Sequence, residues 1–207
     1  MNTPTHAALN FLLLGRKRGT PRGWIVLGAV LPDLPMFAFF FYESQLRHES
    51  IERIFREIYF QPAWQTLFDA FHSIPLFVVL LGWFVWRKNR TGQLFAASLA
   101  LHSLVDWPTH LEDAHAYFWP IWRTPLPGFV SYWRPGSKFW LFELFICGSA
   151  VVWILCEKAL SRERSTMIGS RDAAEFVSAG GRTGGRAAGV RASRAGRRFA
   201  SLRRLPR

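Results

Sequence analysis

Apolar residues fall along this chain in long blocks separated by short basic or proline-rich turns, and the blocks have helical length. Thr3 to Leu14 reads as a short helix, with Thr3 as its cap and Pro4 at the first helical position. Residues 16–23 form a basic turn, and Trp24 to Tyr42 is then almost wholly apolar. Leu31-Pro32-Asp33-Leu34-Pro35 must bend or break that run, because proline lacks the amide proton a helix interior needs. Glu43 to Tyr59 is charged and amphipathic, with Leu46, Ile51, Ile54, Phe55 and Ile58 at helical spacing, and predicts a surface or interfacial helix. Trp64 to Trp86 predicts a third hydrophobic helix that contains Pro75. Arg87-Lys88-Asn89-Arg90 is a basic turn, Leu94 to Trp107 a fourth helix stopped by Pro108, and residues 108–137 are irregular. Phe139 to Cys156 is the cleanest apolar stretch, with Glu143 its only charge.

The fold expected from this pattern is all-α: a membrane-associated multi-helix bundle over residues 1–160, followed by a disordered basic C-terminal tail over 161–207. A spanning helix needs roughly 20 apolar residues, and Trp and Phe gather at the helix ends, as at a membrane interface. A soluble all-α enzyme with an apolar core is the alternative. No cleavable signal peptide is expected, since the basic residues follow the first apolar stretch. Basic turns at 16–22, 87–90 and beyond Lys158 belong on the cytoplasmic side. Four crossings then alternate: Trp24–Tyr42 outward, Trp64–Trp86 back, Leu94–Trp107 outward, Phe139–Cys156 back.

Charge changes the picture only in the tail. The net charge is +12, but residues 161–207 hold twelve arginines against three acids. The helical part gives no reason to expect nucleic acid as a partner. The tail is too poor in apolar residues to offset its ordering entropy, and beside a membrane helix it suits anionic lipid. Cys147 and Cys156 share one apolar run and suggest packing residues, not a disulfide or zinc ribbon.

The candidate chemistry lies in the polar residues inside the apolar blocks. His6, Asp33, Asp69, His72, His102 and Asp106 are nearly all good ligands for a divalent transition metal. His102 and Asp106 are four apart on one helix, so imidazole and carboxylate can share an ion; a plain ion pair at the helix end is the alternative. Asp69 and His72 also share a face, and Asp69 can orient the His72 imidazole or act as a ligand itself. Under the orientation above, His6, His72, His102 and Asp106 lie near outer helix ends. Asp33 lies about 13 Å into its helix, so the set can meet in the outer half of the bundle. His110, Asp113 and His115 follow Pro108 and can complete a second metal site or serve as general acid and base. No Gly-x-Ser-x-Gly elbow or phosphate-binding glycine loop is present.

Thr5-His6, Leu31-Pro32-Asp33, His72-Ser73, His102-x-x-x-Asp106-x-x-Thr109 and Phe118-Trp119-Pro120 occur in an order that resembles the membrane-bound metal-dependent hydrolases. That family is in turn similar to zinc-dependent phospholipase C in the layout of its helical metal site. The likeness covers about residues 3–125. It implies metal ligation by His6, Asp33, His72, His102 and Asp106, a divalent metal cofactor, zinc by preference, and residence in a bacterial inner membrane. The implied activity is hydrolysis of a phosphoester or other ester of a small-molecule or lipid-linked substrate, with membrane lipid as a partner. A non-catalytic metal-binding protein and a structural membrane protein are the alternatives.

Overall fold

A computed structural model describes residues 1–17, 19–131 and 138–180. The expected disorder of 181–207 and the irregular course of 132–137 therefore lie outside the described residues. The described residues divide into a unit from Met1 to Glu157 and a second beginning at Lys158. Among them the structure is all-α, without a strand beyond a single antiparallel bridge between His110 and Ser131.

Helix α1 (Thr3–Leu14) starts at Asn2, not at a Thr3 cap: no side chain caps it, and the Thr3 hydroxyl is used elsewhere. Helix α2 (Arg22–Val30) passes through a tight 3-10 turn, Leu31–Asp33, into α3 (Leu34–Phe41). The Leu-Pro-Asp-Leu-Pro segment thus re-aims the run without ending it.

The expected amphipathic helix over Glu43–Tyr59 does not form as one piece. A π turn (Tyr42–Leu46) ends at a reversal where His48 takes a positive φ of 56°. Ser50 then caps the short α4 (Ile51–Arg53), which passes into a second π segment, Ile54–Ile58. The break turns Ile54 and Ile58 into an aromatic core with Phe39, Tyr59 and Phe68, while Leu46 and Ile51 stay exposed.

Trp64–Trp86 is likewise two helices, α5 (Pro62–Phe71) and α6 (Ile74–Trp86). Pro75 falls in the first turn of α6, where its missing amide proton costs nothing. Ser73 caps that turn by accepting from the Leu76 N–H. Helix α7 (Arg90–Asp106) is capped by Asn89 and closes in a 3-10 turn, Trp107–Thr109. Helix α8 runs from Phe139 to Gly180, so residues 161–180, expected to be disordered, are helical.

Helix α7 is central and packs on α1, α2 and α6. Its contact with α2 is close because Gly28 has no side chain: a Cβ there would lie 2.6 Å from the Phe95 carbonyl oxygen. Buried polar groups join three helices at this level. Asn10 of α1 donates to the carbonyl and hydroxyl of Ser98, and the Ser98 hydroxyl donates to the Ile25 carbonyl of α2. Helix α8 runs parallel to α1: Asn2 meets Glu143, the Thr5 hydroxyl lies 3.8 Å from Cys147 Sγ and Arg16 lies over the Trp153 ring. The Glu143 carboxylate accepts from the backbone N–H and side-chain amide of Asn2, and Glu157 pairs with Arg22 at 2.7 Å.

Three helical runs are long and apolar enough to cross a membrane: Arg22–Leu46, Pro62–Trp86 and Phe139–Ile168. The fourth expected crossing, Leu94–Trp107, is not among them. Helix α7 buries serine, histidine and aspartate side chains inside the bundle instead.

Candidate metal centre

Four elements change direction or terminate at one level, and each delivers a ligand-type side chain there. Helix α1 begins there with His6 in its second turn. The α2–α3 rod kinks there at Asp33, the α5–α6 rod breaks there at His72, and α7 ends there with His102 and Asp106. The segment after α7 folds back over them with His110, Asp113 and His115. All five side chains read as metal ligands converge, and so do the three read as acid/base residues. Among the described residues, three overlapping groups each offer ligand atoms within 4.8 Å of one another: His6, His102 and Asp106; Asp33, His72 and His102; and His72, Asp106 and His115.

The hydrogen bonds around these side chains fix which atoms face inward. His102 Nδ1 lies 2.7 Å from the Ala29 carbonyl oxygen and His72 Nδ1 lies 2.8 Å from that of Phe68. A carbonyl only accepts, so each Nδ1 carries a proton and each ring turns its Nε2 inward. Both Nε2 atoms face the same oxygen: Asp33 Oδ1 is 3.4 Å from His102 Nε2 and 3.6 Å from His72 Nε2. Two imidazole nitrogens and a carboxylate oxygen turned on one another form a donor set that can hold a metal ion. The Thr3 hydroxyl donates to the other oxygen of Asp33 at 2.5 Å and orients it.

Asp106 is the second carboxylate of the cluster. Its Oδ1 lies 2.9 Å from His6 Nε2, 3.0 Å from His110 Nε2 and 3.0 Å from the α-amino group of Met1. Its Oδ2 faces His72 Nε2 at 4.0 Å. His6 stacks on His102 with ring centroids 3.8 Å apart, and its buried Nδ1 has no partner. His72 stacks on His115 at 4.3 Å.

His110 bridges two carboxylates, with Nε2 on Asp106 and Nδ1 2.8 Å from Asp113. Burial opposes charge on this ring, but the two carboxylates outweigh it and raise its pKa to about 9. Burial and the neighbouring His72 push His115 down to about 4.

Asp69 does not orient His72, as its spacing suggested; the Phe68 carbonyl does. The Asp69 carboxylate instead accepts from the Ala116 N–H at 2.8 Å and stands 3.7 Å from His115 Nδ1. It therefore holds the returning segment in place. His115 joins a ligand group of its own, a place its sequence context left open. His72, expected near an outer helix end, sits at the break inside the 25-residue Pro62–Trp86 run. The roles of Thr3 and of the Ala29 carbonyl leave no signal in the sequence, since they depend on what lies across the bundle, whereas the Phe68 carbonyl is supplied one turn before His72.

A cavity of about 600 Å³ opens onto Asp33, His72, Asp106, His110 and His115. No protein-family model, curated protein or solved structure matches this chain.

Proposed function

We propose that the cluster binds a divalent metal, zinc by its donor set, and that the protein is a membrane-bound metal-dependent hydrolase acting on a phosphoester or other ester of a lipid-linked substrate. The observation that carries the metal is the convergence of His72 Nε2 and His102 Nε2 on Asp33 Oδ1, with the Nδ1 atoms held by backbone carbonyls. Mixed imidazole and carboxylate donors suit zinc, and the Ala29 and Phe68 carbonyls supply the outer hydrogen bonds that orient metal-binding histidines.

His6, Asp33, His72, His102 and Asp106 would hold the ion, with His115 beside them. When bound, such an ion polarises an ester or phosphoryl oxygen and makes a water acidic enough to attack at neutral pH. His110 is held by carboxylates at both ring nitrogens and borders the cavity, where its proton can pass to a leaving group. Asp113 fixes the ring that does this. The three apolar runs, with basic turns at their far ends from the cluster, fit an integral protein of a bacterial inner membrane with those turns on the cytoplasmic side.

Purified full-length protein is expected to carry stoichiometric zinc by elemental analysis and to hydrolyse a soluble phosphodiester such as bis(p-nitrophenyl) phosphate, with both lost in Asp106→Ala. One observation favours a non-catalytic structural reading: Asp106 Oδ1 already has three polar partners within the chain. In that case Asp106→Ala lowers stability and the native protein carries no metal.

A further inference from the structure

The cavity at the cluster has two unlike walls. One is the ionisable set; the other is Met36, Phe37, Phe40 and Phe55. Asp33, Met36, Phe37 and Phe40 follow one another at helical spacing, so the apolar wall climbs one face of α3 directly from a carboxylate of the cluster. From Asp33 to Phe40 this is seven residues, about 10 Å of helix.

Phe55 faces this wall from the second π segment, its ring stacked on Phe40 with centroids 5.8 Å apart. A second cavity of about 350 Å³ shares Met36 and Phe55, adds Tyr59 and Phe60, and is closed on its polar side by Glu112 and Asp113. The sequence neighbours of these residues do something different. Phe39 and Ile54 are fully buried in the aromatic core, whereas Phe37 and Phe55 keep 53% and 36% of their surface. The fold therefore buries Phe39 in an aromatic core, against which Met36 and Phe40 pack, and leaves an open apolar trough along Met36, Phe37, Phe40 and Phe55 that leads to the ionisable cluster.

We infer that this trough holds the hydrocarbon chain of the substrate, so that the protein takes a single-chain amphiphile with its anionic phosphoester head on the cluster and its alkyl or acyl chain along Met36, Phe37, Phe40 and Phe55. The inference rests on the metal-centre reading of the cluster. Two features select this occupant. The trough is continuous with the cluster through Asp33, so one molecule can fill both. Helix α3 also belongs to the apolar run Arg22–Leu46, which places the open edge of the trough on a membrane-compatible surface. Ligand pockets have this composition, mostly apolar walls with a few convergent polar groups that fix orientation.

The experiment compares ethylphosphonate and dodecylphosphonate, which are not hydrolysed, on zinc-supplemented full-length protein in one neutral detergent. Binding is read from tryptophan fluorescence or calorimetry in the native protein, Phe55→Trp and Phe37→Trp. Partition into micelles is common to all three proteins, so the ratio between them isolates the trough. Each buried methylene is worth about 0.8 kcal/mol, or roughly fourfold in affinity, so the long chain is expected to bind at least about tenfold tighter to the native protein. Filling the trough with either Trp is expected to remove most of that gain and leave ethylphosphonate unchanged.

A chain-length gain that survives both substitutions, equal affinity at the two lengths, or no binding at either length overturns the inference. Phe37 is exposed, so its variant keeps the test open if Phe55→Trp does not fold. Hydrolysis of bis(p-nitrophenyl) phosphate is measured separately. The trough signature without turnover sinks the hydrolase and sustains the amphiphile; turnover without the signature does the reverse.

Discussion

Helices α7 and α8 invert the usual relation between hydrophobicity and burial. Helix α8 contains the most apolar of the three long runs, yet only 6% of the most apolar stretch of Phe139–Ile168 is buried. Helix α7 carries serines, a glycine, His102 and Asp106, and it buries these alongside Ala96 and Leu99. In water the apolar helix would be the one hidden. Where lipid is the solvent, apolar side chains gain nothing by facing inward. Small and polar residues then make the helix contacts, and ionisable ones gather at functional sites. The contrast teaches that the metal-type cluster and the apolar outer surface are two sides of one sorting of residues: what an apolar solvent would reject, α7 collects.

The largest expected effect is at the C-terminal end of α7. Asp106→Ala removes the carboxylate that faces His6, His72 and His110, and stoichiometric zinc is expected to fall to background by elemental analysis; retention of zinc would leave the cluster a hydrogen-bond network. Next comes α8. Val151 is 55% exposed, and in water its replacement by Arg would change stability by less than about 0.5 kcal/mol. Near the middle of a bilayer the same change costs about 2.5–3.5 kcal/mol, so membrane-inserted Val151→Arg protein is expected to drop sharply while Val151→Leu does not. A soluble, stable Val151→Arg protein would break the comparison.

Third, Gly28→Ala places a Cβ 2.6 Å from the Phe95 carbonyl oxygen and 2.9 Å from Ser98 Cβ. The α2–α7 contact must then open, at a cost of about 1–3 kcal/mol in an unfolding titration, whereas an unchanged midpoint would show that the contact is loose. The smallest effect is expected at Asp69. Asp69→Ala frees the segment that carries His115, and zinc affinity is expected to fall by about 10-fold, the lower end for residues that support metal ligands; chelator competition measures it. An unchanged affinity would remove His115 from the ligand set.

Much of the site was legible because ligands must be polar and the blocks around them are not. Asp33 between two prolines, and His102 with Asp106 four apart, stand out against apolar surroundings, and the structure puts both at the cluster. Asp69 was misread because helical spacing reports only which residues share a face. It cannot show that α5 ends before His72 and that Ala116 returns across the bundle to the Asp69 carboxylate. The Glu43–Tyr59 helix was misread for a related reason. Its periodicity fits a helix, but Ile54 and Ile58 answer to the aromatic face of Phe39, Tyr59 and Phe68, which only the folded chain assembles.

The sequence by itself determined the all-α class, three of the four crossings it predicted, the turns that bound them and the residue types able to hold a metal, because helix periodicity, proline and charge act locally. Only the tertiary structure decided that both long rods break at one level, that two backbone carbonyls fix the inward-facing nitrogens of His72 and His102, and that an aromatic trough climbs from Asp33. Apart from the Phe68 carbonyl, which lies one turn before His72, these depend on which surfaces meet across the bundle, and no local pattern encodes a partner such as Ala29, far along the chain from His102.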